Sequence, residues 1–283
     1  MRLVFSYHKT GTTLMADVMH AAARSLGLRT QTLYGIAHPE EFDPWAGIIL
    51  LPHSLLSARP ERCPSIRMIR DPRAIWVSCY RYHLRCHEDW CTARTPPDAH
   101  GPITWPAVDF HLQHWPEADK RAYLRTLHGR SYQEILRDLS RTTGLAFELA
   151  HATRWTLDDM AAWRDLPGCL DVRLEDVATD FDGTMARIMD HLCLPPGTAW
   201  LAREHDVARM TDAQIAAHRT ASRTPSDWRD FLKPEEVAAF EDRYGALLDR
   251  LGYPREYTRS SLHTAPTMPH VMAEAASGKN PLP

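Results

Sequence analysis

The run Leu3-Val4-Phe5-Ser6-Tyr7-His8-Lys9-Thr10-Gly11-Thr12-Thr13-Leu14 changes pattern twice. Residues 2–7 alternate loosely and are β-prone, so they read as a strand. Residues 8–13 form a Gly/Thr turn. Leu14, Val18, Met19, Ala22 and Leu26 then recur at helical spacing, and Gly27 stands where a helix-ending glycine belongs. In a strand–turn–helix unit, successive backbone N–H groups of the turn face one concavity, and the helix N-terminus adds partial positive charge. Lys9 adds a full charge, and Thr12 and Thr13 add hydroxyl donors. Such a cradle suits an anion of phosphate type. It is not a Walker A loop, which places its Lys after a second Gly; here Lys9 precedes the single Gly of the turn, Gly11.

Outward from this unit, Ala46-Gly47-Ile48-Ile49-Leu50-Leu51 is a short continuous apolar run of the kind a buried parallel strand needs. Ser65–Arg70 reads as another strand, and Pro72 can open a helix running to about Leu84. Residues 86–116 lose every period; with Trp90, Trp105 and Trp115 among five prolines, they read as a long structured loop, a possible acceptor lid, rather than core. Helices are expected between Glu117 and Trp163, a strand over Cys169–Leu174, a helical face on Phe181, Met185, Ile188, Met189 and Leu192, and a last helix from Pro234 to Gly252. Strands alternating with helices predict an α/β fold: a P-loop-type three-layer sandwich around a parallel sheet of about five strands. One domain is expected over 1–263, with an insertion over about 86–165 and a disordered Pro/Ala/Ser/Gly tail over 264–283.

The 283 residues carry 33 Lys+Arg against 36 Asp+Glu, a net charge of −3. That balance is not that of a nucleic-acid binder. No run approaches a membrane span or a signal peptide, so a cytoplasmic protein is expected. The six cysteines are scattered. His83, Cys86, His87 and Cys91 are the densest group, but the Cys-x4-Cys spacing is loose and lacks a second pair. The expectation there is ordinary side chains without metal, a Cys86–Cys91 bridge being the alternative.

A second motif, Arg70-Asp71-Pro72-Arg73-Ala74-Ile75-Trp76-Val77-Ser78, follows a predicted strand and enters a helix. An Arg at a strand end can grip a phosphate with two parallel bonds. The turn His8-Lys9-Thr10-Gly11-Thr12-Thr13-Leu14 resembles the 5′-phosphosulfate loop of sulfotransferases that use 3′-phosphoadenosine 5′-phosphosulfate (PAPS). Arg70 and Ser78, eight positions apart, resemble that family's 3′-phosphate pair. Val172-Arg173-Leu174-Glu175-Asp176-Val177 is similar to the family's later strand, with Leu174 where a Tyr is usual. Ser226-Asp227-Trp228-Arg229 is similar to its C-terminal block, with Arg219 and Arg223 standing in for the basic loop that closes over the 3′-phosphate. The resemblance covers residues 2–85 and 168–253.

The resemblance implies sulfuryl transfer from PAPS to a hydroxyl or amine of a small-molecule or glycan acceptor, without a metal. It implies Lys9 and His53 as catalytic groups, His53 lying directly after the Ile48–Leu51 strand. An imidazole with an ordinary pKa of about 6.5 suits general-base work. Leu51 occupies the place of a usual Lys, and Glu40, Glu41 and Asp43 are reserve bases. The alternatives are a P-loop small-molecule kinase and a nucleotide-binding module without turnover.

Overall fold

The computed structural model describes residues 1–257 except 54, 59, 61, 62, 114, 164 and 214–226, with Phe110 described by its backbone alone. Arg219, Arg223, Ser226 and the tail 264–283 lie outside the described residues.

The strands are β1 Leu3–Ser6, β2 Arg29–Thr32, β3 Ile36–Ala37, β4 Ala46–Pro52, β5 Leu55–Leu56, β6 Ser65–Ile69 and β7 Cys169–Arg173. The helices are α1 Thr12–Leu26, α2 Pro72–His83, α3 Asp89–Thr92, α4 Glu117–Thr126, α5 Tyr132–Asp138, α6 Arg141–Ala150, α7 Ala152–Ala162, α8 Leu174–Thr179, α9 Phe181–His191, α10 Thr198–Leu201 and α11 Pro234–Leu251. Five strands form a parallel sheet in the order β2-β4-β1-β6-β7, and β3 pairs with β5 alone.

Side chains alternate across each strand, so one apolar run feeds two cores. Val4, Ile48, Leu50, Ile66 and Met68 face α1 and α9, where they meet Met15, Val18, Met185 and Ile188. Leu3, Phe5, Ile49, Leu51 and Ile69 face the other way, onto Ile75 and Trp76 of α2, Leu145 of α6, Leu157 of α7 and Phe240 and Leu248 of α11. Helices on both faces of a parallel sheet make the three-layer α/β sandwich. Each such fully buried aliphatic or aromatic side chain contributes roughly 1.5–3 kcal/mol of transfer free energy.

Residues 86–116 differ from the expectation of a loop outside the core. Trp90, Cys91, Ile103, Val108 and Leu112 are buried in the α2-side cluster. The segment has no period because it is pinned by scattered single side chains, not by one helix face.

β1 lies between β4 and β6, with the chain leaving β1 toward β2 and leaving β6 toward β7. At such a reversal the connections diverge and open a crevice at the carboxyl ends of the strands. The turn after β1 and the turn after β6, which are the two motifs, both end there.

Candidate functional site

Ser6 closes β1, and the chain turns over Tyr7–Gly11 into α1. Lys9 sits at φ 64° and Gly11 at φ 92°, both left-handed. At Gly11 an added Cβ would meet Leu174 Cδ1 at 2.9 Å, so glycine is required by conformation and by space. Leu174, in the position of the family's Tyr, packs against the loop's glycine. Thr10 is fully buried; its hydroxyl accepts from Tyr7 N at 2.8 Å and donates to Tyr7 O at 2.9 Å, and its own N–H donates to Tyr7 O at 3.2 Å. Thr12 Oγ1 also donates to Tyr7 O, at 2.8 Å. Thr10 and Thr12 therefore hold the turn with their hydroxyls instead of presenting them. Thr13 is exposed, and Leu14 packs on the α1-side core. The N-terminus of α1 has no side-chain cap and no acidic residue in its first turn. A helix end left in that state favours an anion.

Lys9 Nζ lies 3.9 Å above the centre of the Tyr82 ring. Burial lowers its pKa to about 8, and the Arg70 charge pushes the same way. Arg70 Nη1 donates to the Lys9 carbonyl at 3.0 Å, which ties the second motif to the first. Ser78 is half-buried two turns into α2. The other members of this motif are structural. Arg73 is completely buried, bonded to Asp71 through Nη2 at 2.8 Å and to Glu241 through Nη1 at 2.7 Å, and capped by the Trp228 ring at 4.1 Å. Trp228 Nε1 donates to the same Asp71 at 3.1 Å. The Asp227–Trp228 block is thus anchored beside Arg70. Glu175 accepts from Asp71 N at 3.0 Å and from the Tyr253 hydroxyl at 3.0 Å.

His53 follows β4 directly, in the left-handed region at φ 57°, and its N–H donates to Ser6 O at 2.7 Å. Two non-glycine residues in this sparsely populated conformation, Lys9 and His53, stand at neighbouring strand ends. Around them the rings of His83, His8, His53 and His111 follow one another, with centres 5.3, 5.4 and 5.6 Å apart. Carboxylates terminate the row. His83 Nδ1 lies 3.0 Å from both oxygens of Glu148, which also accepts from Tyr132 and Thr153 at 2.9 Å each. His111 Nδ1 lies 2.5 Å from Asp109, and its Nε2 lies 3.6 Å from Asp159.

The charges follow from this placement. Burial works against the charged forms of His83 and His111, but Glu148 and Asp109 outweigh it and hold both imidazoles above their ordinary value. Burial lowers His53 to about 3, with the His111 charge second, and it drives His8 well down, with the His83 charge second. Along the row the end imidazoles, beside carboxylates, are shifted up and the middle two are shifted down. His53 is therefore neutral far below the pH that an ordinary imidazole would suggest, because its surroundings cannot solvate the charged ring.

The reserve carboxylates are held elsewhere: Glu41 accepts from His38 N at 3.3 Å, Glu40 lies 3.7 Å from the His38 ring, and Asp43 pairs with Arg29 of β2 at 2.8 Å. Cys86 and Cys91 are free thiols. Among the described residues, no group of three or more His, Cys, Asp or Glu side chains is arranged to hold a metal, and no helix is long and apolar enough to cross a membrane.

Tyr82, Asp109, His111, Glu148 and Asp159 are not singled out by the sequence, and His83 stands out there only as a member of the loose Cys/His group over 83–91. A further local signal is Asp109-x-His111, a carboxylate two residues before an imidazole.

No family model and no curated protein matches the sequence. Among solved structures, the chain is similar to mouse sulfotransferase SULT7A1 complexed with PAP, at 15% identity and a TM-score of 0.41, over 88% of this chain and 83% of that one.

Proposed function

We propose that the chain is a sulfotransferase that moves a sulfuryl group from PAPS to a hydroxyl or amine of a small-molecule or glycan acceptor. The observation that carries this reading is the placement of Lys9: a half-buried ammonium on the Tyr82 ring, beside an uncapped helix N-terminus, tied to Arg70 and neighboured by a neutral imidazole. The donor set fits the donor nucleotide. The first turn of α1, with Lys9, Gly11 and Thr13, faces the 5′-phosphosulfate. Arg70 and Ser78, with Arg219 or Arg223, take the 3′-phosphate.

Negative charge grows on the oxygen between phosphorus and sulfur as the S–O bond breaks. A fixed ammonium at that oxygen stabilises the transition state more than the ground state. His53 is neutral at physiological pH and takes the acceptor's proton. Its low pKa makes it a weak base in the free protein, so its contribution is position and correct protonation state, not basicity. A phosphoryl-transferring site of this topology uses a strand-end aspartate for magnesium. Here the β6-end aspartate, Asp71, is bonded to Arg73 and Trp228.

The test is transfer of label from PAPS to a panel of phenols, alcohols, amines and oligosaccharides, in parallel with labelled ATP and magnesium. Label moving from PAPS in wild type, blocked by 3′-phosphoadenosine 5′-phosphate and lost in Lys9→Ala, supports the proposal. Label moving from ATP alone would assign a kinase, and binding of the bisphosphate without turnover would assign a sensing module.

A further inference from the structure

We propose that His111, held between Asp109 and Asp159, is the proton exit of the transfer site: it receives the acceptor's proton from His53 and passes it through Asp159 to water. This rests on the reading of His53 as the base of sulfuryl transfer. As the acceptor oxygen bonds to sulfur, its O–H bond breaks and the proton goes to His53. The His111 Nε2–H bond breaks as its proton goes to Asp159, the bared Nε2 takes the proton from His53, and Asp159 releases its proton to solvent while Nδ1–H stays on Asp109. The products are the sulfated acceptor, the nucleotide bisphosphate and one proton in water.

A proton left on His53 would charge a ring that its surroundings keep neutral, so the ring must discharge before the next turnover. Among the described residues, an imidazole flanks the ring on each side, and the two differ. On one side, His8 leads to His83, whose partner Glu148 is completely buried and already accepts from Tyr132 and Thr153. A proton sent that way meets a closed end. On the other side, the His111 ring stands edge-on to His53 with centres 5.6 Å apart, in direct ring contact. His111 then meets two unlike carboxylates. The Asp109 side chain is 6% exposed and takes Nδ1 at 2.5 Å, fixing the ring. The Asp159 side chain is 22% exposed and stands 3.6 Å from Nε2, so it alone of the pair opens to solvent.

Burial, with Asp158 and Asp109 adding to it, raises Asp159 to about 6 against the opposing pull of His111. A carboxylate in that range can both take and release a proton near neutrality. The groups facing His111 are Asp109, Asp159, His53, the more distant Glu88 and the Trp155 ring. Asp109 is a positioning residue; His111 and Asp159 carry the proton.

The experiment measures the steady-state rate, over many turnovers, of labelled sulfate released from PAPS with water as acceptor, from about pH 5 to 9, for wild type, His111→Gln, Asp159→Asn and Asp159→Glu. Affinity for 3′-phosphoadenosine 5′-phosphate and Tm are measured for each. The expected result is a rate about 100-fold lower in His111→Gln, in line with loss of a proton-transfer group. Asp159→Asn should lose about tenfold and also lose the wild-type acid limb near pH 6, while Asp159→Glu keeps that limb. Nucleotide affinity should be unchanged throughout. A purely structural role would lower Tm and leave the limb in place. Wild-type rate and an intact limb in Asp159→Asn overturn the relay, even where His111→Gln does not fold. A wild-type protein that binds the bisphosphate but moves no label from PAPS to water or to any acceptor of the panel at any pH overturns the transferase reading and the relay with it.

Discussion

The two halves of the site are built on different scales. The proposed nucleotide half consists of residues 6–14 and 70–78, two short runs tied by the hydrogen bond from Arg70 Nη1 to the Lys9 carbonyl. The transfer half draws single side chains from α2, the turn after β4, the 109–111 turn, α6 and α7, and holds them by ring contacts and buried carboxylates. A cradle made of backbone tolerates side-chain changes that keep the turn. A row of rings depends on the whole α2-side core, so packing and chemistry are coupled there.

Trp90→Ala tests that coupling with the largest expected effect. Trp90 is 4% exposed, packs 5.2 Å from both His83 and Tyr132, and donates to Glu88 at 2.6 Å. Its removal should cost about 3–5 kcal/mol of unfolding free energy, as for other buried Trp truncations, measured by urea denaturation. A loss below about 1 kcal/mol would show that the transfer half does not depend on this core.

Lys9→Ala acts on chemistry in the nucleotide half. It should lower kcat by about 10²–10³-fold, in the range for losing a donor aimed at developing charge, with affinity for the bisphosphate falling less. If kcat stayed near wild type, Lys9 would be no more than a prop for the Tyr82 ring.

Arg70→Ala should reduce discrimination. Loss of a charge-assisted phosphate bond costs about 1.5–3 kcal/mol, and the loss should appear for adenosine 3′,5′-bisphosphate and not for adenosine 5′-phosphate. Equal losses for both nucleotides would mean that Arg70 only braces the Lys9 carbonyl.

The pH dependence separates the halves again. Lys9 must be protonated, and its lowered pKa puts that form at risk as pH rises through about 8. The kcat/KM profile should therefore fall on the alkaline side from about pH 8, and Lys9→Arg should move that limb upward. His53, held near 3, contributes no limb around 6.5. An acid limb that survives Asp159→Asn and vanishes in His53→Gln would contradict this assignment of charges.

The fold was legible because its signals are local. The continuous apolar run over 46–51, the strand pattern over 65–70, the Pro72 start and the Gly252 stop fall where β4, β6, α2 and α11 are found. β2 escaped because Arg-Thr-Gln-Thr at a sheet edge carries no apolar face. In the site, Lys9, Gly11 and Arg70 stand out through turn chemistry and order along the chain. His8 is marked only as a member of the loop and His83 only as a member of a loose Cys/His group, and His111 not at all, because a lone histidine has no spacing signature. Their distances to each other arise only when the chain packs, and so does the burial that sets their charge. For the same reason the ordinary pKa assigned to His53 from its residue type was displaced.

The smallest expected effect concerns a second tryptophan in the unpatterned segment. Trp90 and Trp105 lie 15 positions apart, and the fold treats them oppositely: Trp90 is 4% exposed and Trp105 is 45% exposed. Trp105 is held through its backbone, whose N–H donates to Gln113 Oε1 at 3.1 Å, so its ring can change partner without unravelling the turn. His111, two residues before Gln113 in the chain, ties the same turn to His53. We propose that an acceptor reaching His53 contacts this turn, where an indole offers a large contact area with few rotors. If the ring is an acceptor contact, Trp105→Ala should leave Tm and nucleotide affinity within error, since exposed substitutions usually change stability by no more than about 0.5 kcal/mol. It should raise the acceptor KM about threefold to tenfold, roughly 1 kcal/mol of lost contact. A lowered Tm with an unchanged KM would place Trp105 with Trp90 as packing, and the segment would then serve the site only through Asp109 and His111.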